Sequence, residues 1–310
     1  MAPLPAHAPA PLTGHLQLPG AHDPIASLGL ALAGRADPTA QRRPGALALA
    51  LPLPEGAVEL HLQRDPAGLR WWAWGPGAAA VPTVLPPMVG ATDWPPPQLP
   101  LPPALAARLA PHRGVVMTRL PVLWPVLAQT ILGQLITTVE AWRAWAGLVR
   151  RCAQPAPGPA GLWMPPDPER VAATPADQLV ALGVPDRVAR TLRDAARQSR
   201  RIRRAAAAPA DEAAALLQSI PGVGPWTAQM VLQTARGEAD AVPLGDFHLP
   251  HTVAWALGGT PRGDDDGMLA LLAPVRPHRG RLLRWMVRAG VHAPRWGPRS
   301  SLRPIDADRD

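Results

Sequence analysis

The segment Leu216–Ala228, which reads LLQSIPGVGPWTA, constrains this chain more than any other. Two runs with helical apolar spacing are separated only by Ile220-Pro221-Gly222-Val223-Gly224, so the chain must reverse within a very short turn. Glycines make such a turn possible and let the backbone come close to another group. Pro225 falls at the first position of the second helix, where its φ is already suitable and its missing amide hydrogen is not needed. The amides near Gly222 and Gly224 then point outward from the positive end of a helix, which makes an anion site without a charged side chain. A bare Gly-X-Gly would fit an ordinary helix corner equally well. The complete PGVGPWTA run points to backbone binding of a phosphate.

Charge points the same way. The formal net charge is +8 and the pI about 11.4, so a polyanion is the expected partner, with nucleic acid first. A compositional bias is the plainer alternative, because the chain has no lysine, asparagine or tyrosine. What is missing also excludes chemistry. The single Cys152 rules out a disulfide framework and any four-cysteine zinc or iron–sulfur site. Without lysine, no side-chain amine can form a Schiff base. No apolar run is long enough to span a bilayer. Met1–Leu12 is rich in Ala and Pro and lacks the basic region of a signal peptide, so a soluble cytoplasmic protein associated with the nucleoid is expected.

The chain divides by pattern into an α+β arrangement. After a flexible stretch, 1–11, residues 12–87 read as a small antiparallel sheet with one helix. Thr13–Leu18, Ala46–Leu51, Ala57–Gln63 and Leu69–Trp74 have strand character, and Asp23 caps a helical stretch Pro24–Leu32. The Pro-rich run Pro82–Pro103 reads as a linker, placed at 88–103 between the two domains. Residues 104–310 read as all-helical. The periodic segments include Val122–Arg151, Asp186–Ala208, Pro225–Arg236, Phe247–Leu257 and Arg279–Ala289.

Together these features resemble the HhH-GPD superfamily of DNA glycosylases, and within it the DNA-3-methyladenine glycosylase II type. The resemblance spans most of the chain: a small N-terminal sheet, the helix carrying ILGQL, the hairpin Pro221, Gly222, Val223, Gly224 and Thr227, and an aspartate-bearing loop. It implies a monomeric enzyme of base excision repair that binds double-stranded DNA carrying damaged bases and leaves an abasic site. It also implies a sodium or potassium ion held by the backbone carbonyls of Gln218, Ile220 and Val223; no other cofactor is expected, and the iron–sulfur cluster of some relatives is excluded by the cysteine count.

In that comparison Asp246, within Val242–His251 (VPLGDFHLPH), falls at the catalytic position. It also reads as the N-cap of a helix Phe247–Leu257, with Pro250 in the first turn. The two readings are compatible, because a helix N-terminus suits a negative group. Cleaving a glycosidic bond builds positive charge on the sugar, which a fixed carboxylate stabilises while orienting or deprotonating water. A base alkylated at N3 or N7 is already cationic and leaves without a general acid. Trp226 occupies the position where relatives that also nick DNA carry a lysine, so the lyase reaction is expected to be absent.

A flipped base leaves a gap that such enzymes plug with a side chain. Here the resemblance assigns the wedge to Leu135, with Gln134 as its polar neighbour, although an apolar helix would also place Leu135 in a core. Aromatic faces favour a cationic base, and the pocket candidates are Trp226, Phe247, Met230 and Trp285. Met230 stands where an aromatic residue is usual, and Trp285 lies two residues from the position near Val287 that aligns with a family tryptophan. His248 and His251 lack a third ligand at motif spacing and read as surface or DNA-facing residues. The Arg197, Arg200, Arg201, Arg203, Arg204 cluster reads equally as a solvated face or as phosphate contacts, and Arg276, Arg279 and Arg284 as generic phosphate partners. Two alternatives stand beside this reading: a non-catalytic helix-hairpin-helix DNA-binding protein, and a glycosylase for another lesion such as uracil.

Overall fold

The computed structural model describes residues 10–19 and 21–294; most of the N-terminal stretch expected to be flexible lies outside them. The N-terminal unit is a five-stranded antiparallel sheet: β1 (Leu12–Gln17), β2 (Ala40–Arg43), β3 (Ala46–Leu53), β4 (Gly56–Asp65) and β5 (Gly68–Trp74), in the order β1-β5-β4-β3-β2. Helix α1 (Pro24–Gly29) is capped by Asp23, whose Oδ1 accepts the Ala26 amide at 2.9 Å. β2 carries no alternating pattern and was not legible as a strand; its pairing with β3, Ala40 opposite Leu49, forms it.

The Pro-rich run is not simply a linker. Pro82–Pro87 lies inside helix α2 (Val81–Met88), and Val81, Leu85, Met88 and Val89 pack into the core beneath the sheet with Leu49, Leu51, Leu60 and Leu62. Proline in a first helical turn loses no hydrogen bond, and in so short a helix the later Pro86 and Pro87 forfeit little. The opposite face of the sheet is covered as well. Ala48 and Ala50 pack against Leu162 and Met164, and the Ala160 amide donates to the buried Glu59 carboxylate at 2.8 Å. Cover on both faces explains why β3, ALALALPL, is apolar throughout rather than alternating.

The rest of the described chain is mainly helical, with residues 295–310 of the expected helical region outside the described residues: α3 (Pro103–Leu109), α4 (Trp124–Leu132), α5 (Thr138–Cys152), α6 (Pro168–Ala173), α7 (Ala176–Val180), α8 (Asp186–Arg197), α9 (Ser199–Ala207), α10 (Ala210–Gln218), α11 (Pro225–Val231), α12 (Leu249–Gly258), α13 (Asp265–Leu272) and α14 (Arg279–Arg288). The segment read as one helix over Val122–Arg151 is two, α4 and α5, broken at Gly133–Thr137, and α5 starts on a Thr137/Glu140 capping box. Gln198 likewise separates α8 from α9.

The helices form two cores. One gathers Leu127, Ile131, Trp145, Leu148, Val188, Leu192, Leu217, Val223 and Val231 from α4, α5, α8, α10, α11 and the hairpin. The other gathers Leu109, Val253, Met268, Leu272, Leu282, Leu283, Trp285 and Met286 from α3, α12, α13 and α14. The loop after α11 crosses between them, with Ala241 in the first core and Val242 in the second. The aspartate-bearing loop therefore sits at their seam.

Candidate active site

At the seam the hairpin, the aspartate loop and the α4–α5 loop meet. α10 ends at Gln218 and α11 begins at Pro225, with Gly224 at its N-cap. The Ile220 carbonyl accepts the Val223 amide at 3.0 Å, which closes the turn. The two glycines are required for different reasons. Gly222 has φ +82°, and a Cβ there would lie 2.1 Å from Thr191 Oγ1, so both the backbone and the packing demand glycine. Gly224 has φ −89°, and a Cβ on it would meet nothing within 4 Å. Nothing within the protein requires Gly224 to be bare; the space over it is open for a ligand's close approach. Pro221 and Gly222 are exposed while Val223 is buried. Thr227 is also buried, so its hydroxyl does not face a phosphate.

Thr227 instead ties the hairpin to the wedge loop. Gln134 Nε2 donates to Thr227 Oγ1 at 2.9 Å and to the Gly222 carbonyl at 3.1 Å. The next residue, Leu135, is 68% exposed and has φ +62°, unlike every other described non-glycine residue. A leucine in left-handed backbone costs about 1–2 kcal/mol and persists only where its surroundings hold it. Here Gln134 holds it from one side and the capped start of α5 from the other. Leu135 is thus not a core residue, and it stands exposed next to the residue that binds the hairpin.

Asp246 is joined to the hairpin's second helix through Trp226. Its Oδ2 accepts the Trp226 indole N–H at 2.9 Å, and its Oδ1 accepts the His248 and Leu249 amides at 2.8 and 2.9 Å. Helix α12 begins at Leu249, two residues later than the sequence pattern suggests, yet Asp246 still satisfies amides at its start. Gly245, φ +81°, donates its amide to Asp265 Oδ2 at 2.8 Å, so the start of α13 fixes the loop from behind. The carboxylate is half-buried and held in one orientation by three donors.

The aromatic residues divide. Trp226 is half-buried against Asp246, and Met230 lies one turn on, also half-buried. Phe247, the chain's single phenylalanine, is 80% exposed and packs edge-on to His248 and His251. Trp285 does not line the site. It is 2% exposed in the second helical core, donates to the Val115 carbonyl at 2.7 Å, and has the Arg113 guanidinium over its ring. Its position on an amphipathic helix could not separate an inward core face from an inward pocket face.

Several of the other polar residues have structural partners. His251 Nδ1 accepts the Gly263 amide at 3.1 Å, and among the described residues no three His, Cys, Asp or Glu side chains are grouped to hold a metal. Arg279 pairs bidentately with Asp240, and Arg281 with Asp93. Arg284 is buried against Thr118 Oγ1 and the Gln233 carbonyl, and burial pushes its guanidinium down to about 10. Neither Arg279 nor Arg284 is therefore available as a phosphate partner. On α8 and α9, Arg197 pairs with Asp194 and Arg204 with Glu212 on an exposed face.

This architecture is the helix-hairpin-helix DNA glycosylase fold. A 3-methyladenine DNA-glycosylase from Archaeoglobus fulgidus superposes with a TM-score of 0.73 at 18% identity, covering 89% of this chain and 98% of that one. MBOgg1, in complex with a low affinity DNA ligand, gives 0.71 at 13% identity over 90% and 95% of the two chains. An 8-oxoguanine glycosylase/lyase from Clostridium acetobutylicum gives 0.66 at 11% identity, covering 90% of this chain and 96% of its own. No family model and no curated protein matches the chain by sequence. The likeness is one of fold, and the similar structures include glycosylases named for different bases.

Proposed function

We propose that this protein is a monofunctional DNA N-glycosylase that extrudes an alkylated base and hydrolyses its glycosidic bond with Asp246. The observation that carries this reading is one continuous assembly. Gln134 binds the hairpin, the hairpin opens into the helix bearing Trp226, and Trp226 orients Asp246. A duplex whose phosphate rests on the amides around Gly224 would meet Leu135 and Asp246 on the two loops bonded to that hairpin. Leu135 fills the gap left by the extruded nucleotide. Asp246 stabilises the positive charge that develops on the sugar and positions water for attack at the anomeric carbon.

Trp226 and Phe247 offer aromatic faces to a cationic base, and the second carboxylate that touches the loop, Asp265, is engaged by the Gly245 amide behind it rather than set to protonate a neutral leaving base. Both features favour an alkylated purine such as 3-methyladenine or 7-methylguanine. A strand-nicking step through a side-chain amine is excluded by the absence of lysine. The carbonyls of Gln218, Ile220 and Val223 are neutral oxygen donors at the hairpin, a set suited to sodium or potassium. Such an ion would add positive charge beneath the phosphate.

The test is Asp246→Asn. Asparagine caps a helix about as well as aspartate, so the variant should fold and bind alkylated duplex. Release of 7-methylguanine should fall to background, and wild-type product should be an intact abasic strand that breaks only in alkali. An equally active variant, or wild-type protein that frees no base from alkylated DNA, removes the catalytic assignment.

A further inference from the structure

A second, unrelated feature lies where the sheet meets the helices. A cleft of about 720 Å³ opens there, and none of the residues placed in the active site lines it. Its walls come from α1, β2, β4, the chain before α4 and the end of α14. They bring together four arginines, Arg42, Arg43, Arg64 and Arg288, against a single carboxylate, Asp23. That carboxylate is already engaged, because it caps α1.

How these arginines are held sets them apart. Arg42 donates to the Gly29 carbonyl, Arg64 to the His22 carbonyl, and Arg43 to the Gln41 side chain at 3.3 Å. Among the described residues, Arg42, Arg43 and Arg288 form no ion pair. Arg236, Arg279 and Arg281 on the neighbouring helical elements each have a carboxylate partner. Carbonyl partners position a guanidinium but leave its charge in place. Partial burial lowers the Arg42 pKa; Asp37 opposes the shift and the charge of Arg288 adds to it. Like charges gathered around an open cleft repel one another, and an anion in the cleft would turn that repulsion into binding.

We propose that this cleft binds a phosphate-bearing ligand through Arg42, Arg43 and Arg288, with Arg64 in its wall. Guanidinium groups match phosphate oxygens in pairs, and several of them spread over one cleft suit successive phosphates rather than a lone carboxylate. Two sources share that chemistry: the backbone of nucleic acid running past the sheet, and a free polyphosphate group. The site gives the N-terminal sheet a binding role and does not depend on Asp246 or the hairpin.

The experiment titrates inorganic tripolyphosphate into the full chain at low ionic strength, using calorimetry. Saturable one-to-one binding is expected. Arg43→Gln combined with Arg288→Gln changes two exposed side chains and should weaken it by about tenfold. Arg200→Gln with Arg203→Gln on α9 removes the same charge and should leave it intact. If a long duplex displaces tripolyphosphate, and the salt slope of duplex binding falls by about two in the cleft variant, the source is the nucleic-acid backbone. If a nucleoside triphosphate competes and the duplex does not, the source is a free ligand. Absence of saturable binding, or an equal loss in the α9 variant, overturns the site. Asp246→Asn should bind tripolyphosphate like wild type, so this result is independent of the glycosylase reading.

Discussion

Leu135 offers a test in which stability and activity should move in opposite directions. Its φ of +62° costs about 1–2 kcal/mol that glycine would not pay. Glycine adds about 0.5–1 kcal/mol of backbone entropy loss on folding. Alanine keeps the strain and avoids the entropy term. Both substitutions lose the same small packing contribution, because the side chain is already 68% exposed. Leu135→Gly should therefore be more stable than Leu135→Ala by about 0.5–1 kcal/mol, the reverse of the order found at ordinary positions.

Activity should fall in both variants. Burying the exposed two-thirds of a leucine side chain between bases is worth about 1–2 kcal/mol, or roughly five- to thirtyfold in the extruded population. Urea unfolding measures the first quantity, and single-turnover release of 7-methylguanine from a defined duplex measures the second. A glycine variant less stable than the alanine variant would refute the strain argument. Undiminished base release in both would refute the wedge.

The hairpin glycines should separate cleanly. Gly222→Ala places a Cβ 2.1 Å from Thr191 Oγ1 at φ +82° and should cost about 2–3 kcal/mol in urea unfolding. Gly224→Ala should leave stability within about 0.5 kcal/mol of wild type while lowering duplex affinity in a fluorescence titration. Gln134→Ala removes two hydrogen bonds worth about 2 kcal/mol together, and should lower kcat/KM about as much as loss of Leu135 while Leu135 remains. Burial lowers the pKa of His22 below its ordinary 6.5, so the unfolded chain takes up this proton first as pH falls. Stability from this source is present above 6.5 and lost below it. His22→Phe keeps a ring against Trp94 and should flatten the decline below about pH 6.5 in thermal unfolding.

Much of this architecture is legible in the amino-acid sequence. The strands β3, β4 and β5, the capped start of α1 and the hairpin all carry local signals: alternation, turn residues, a capping aspartate, glycines flanked by helical runs. Helix α2 was hidden because proline dominates its composition, although its Val81, Leu85 and Met88 spacing was available. β2 had no signal of its own, since an edge strand takes its conformation from its neighbour's free hydrogen-bonding groups. The cover over the sheet by residues 154–164 was equally invisible, because an extended, Pro-rich segment announces no partner.

For the candidate site, the sequence alone determined which chemistry was open: a bare-backbone anion turn, one aspartate at a helix start, and no lysine or cysteine set for other mechanisms. Only the tertiary structure decided which residues meet. It joined Gln134 to Thr227 across 93 positions of chain, set Trp226 on Asp246, sent Trp285 into a core and paired Arg279 away from solvent. The reason is physical. Backbone conformation follows from neighbours along the chain, whereas the direction a polar or aromatic side chain finally takes depends on partners that packing supplies from far away in sequence.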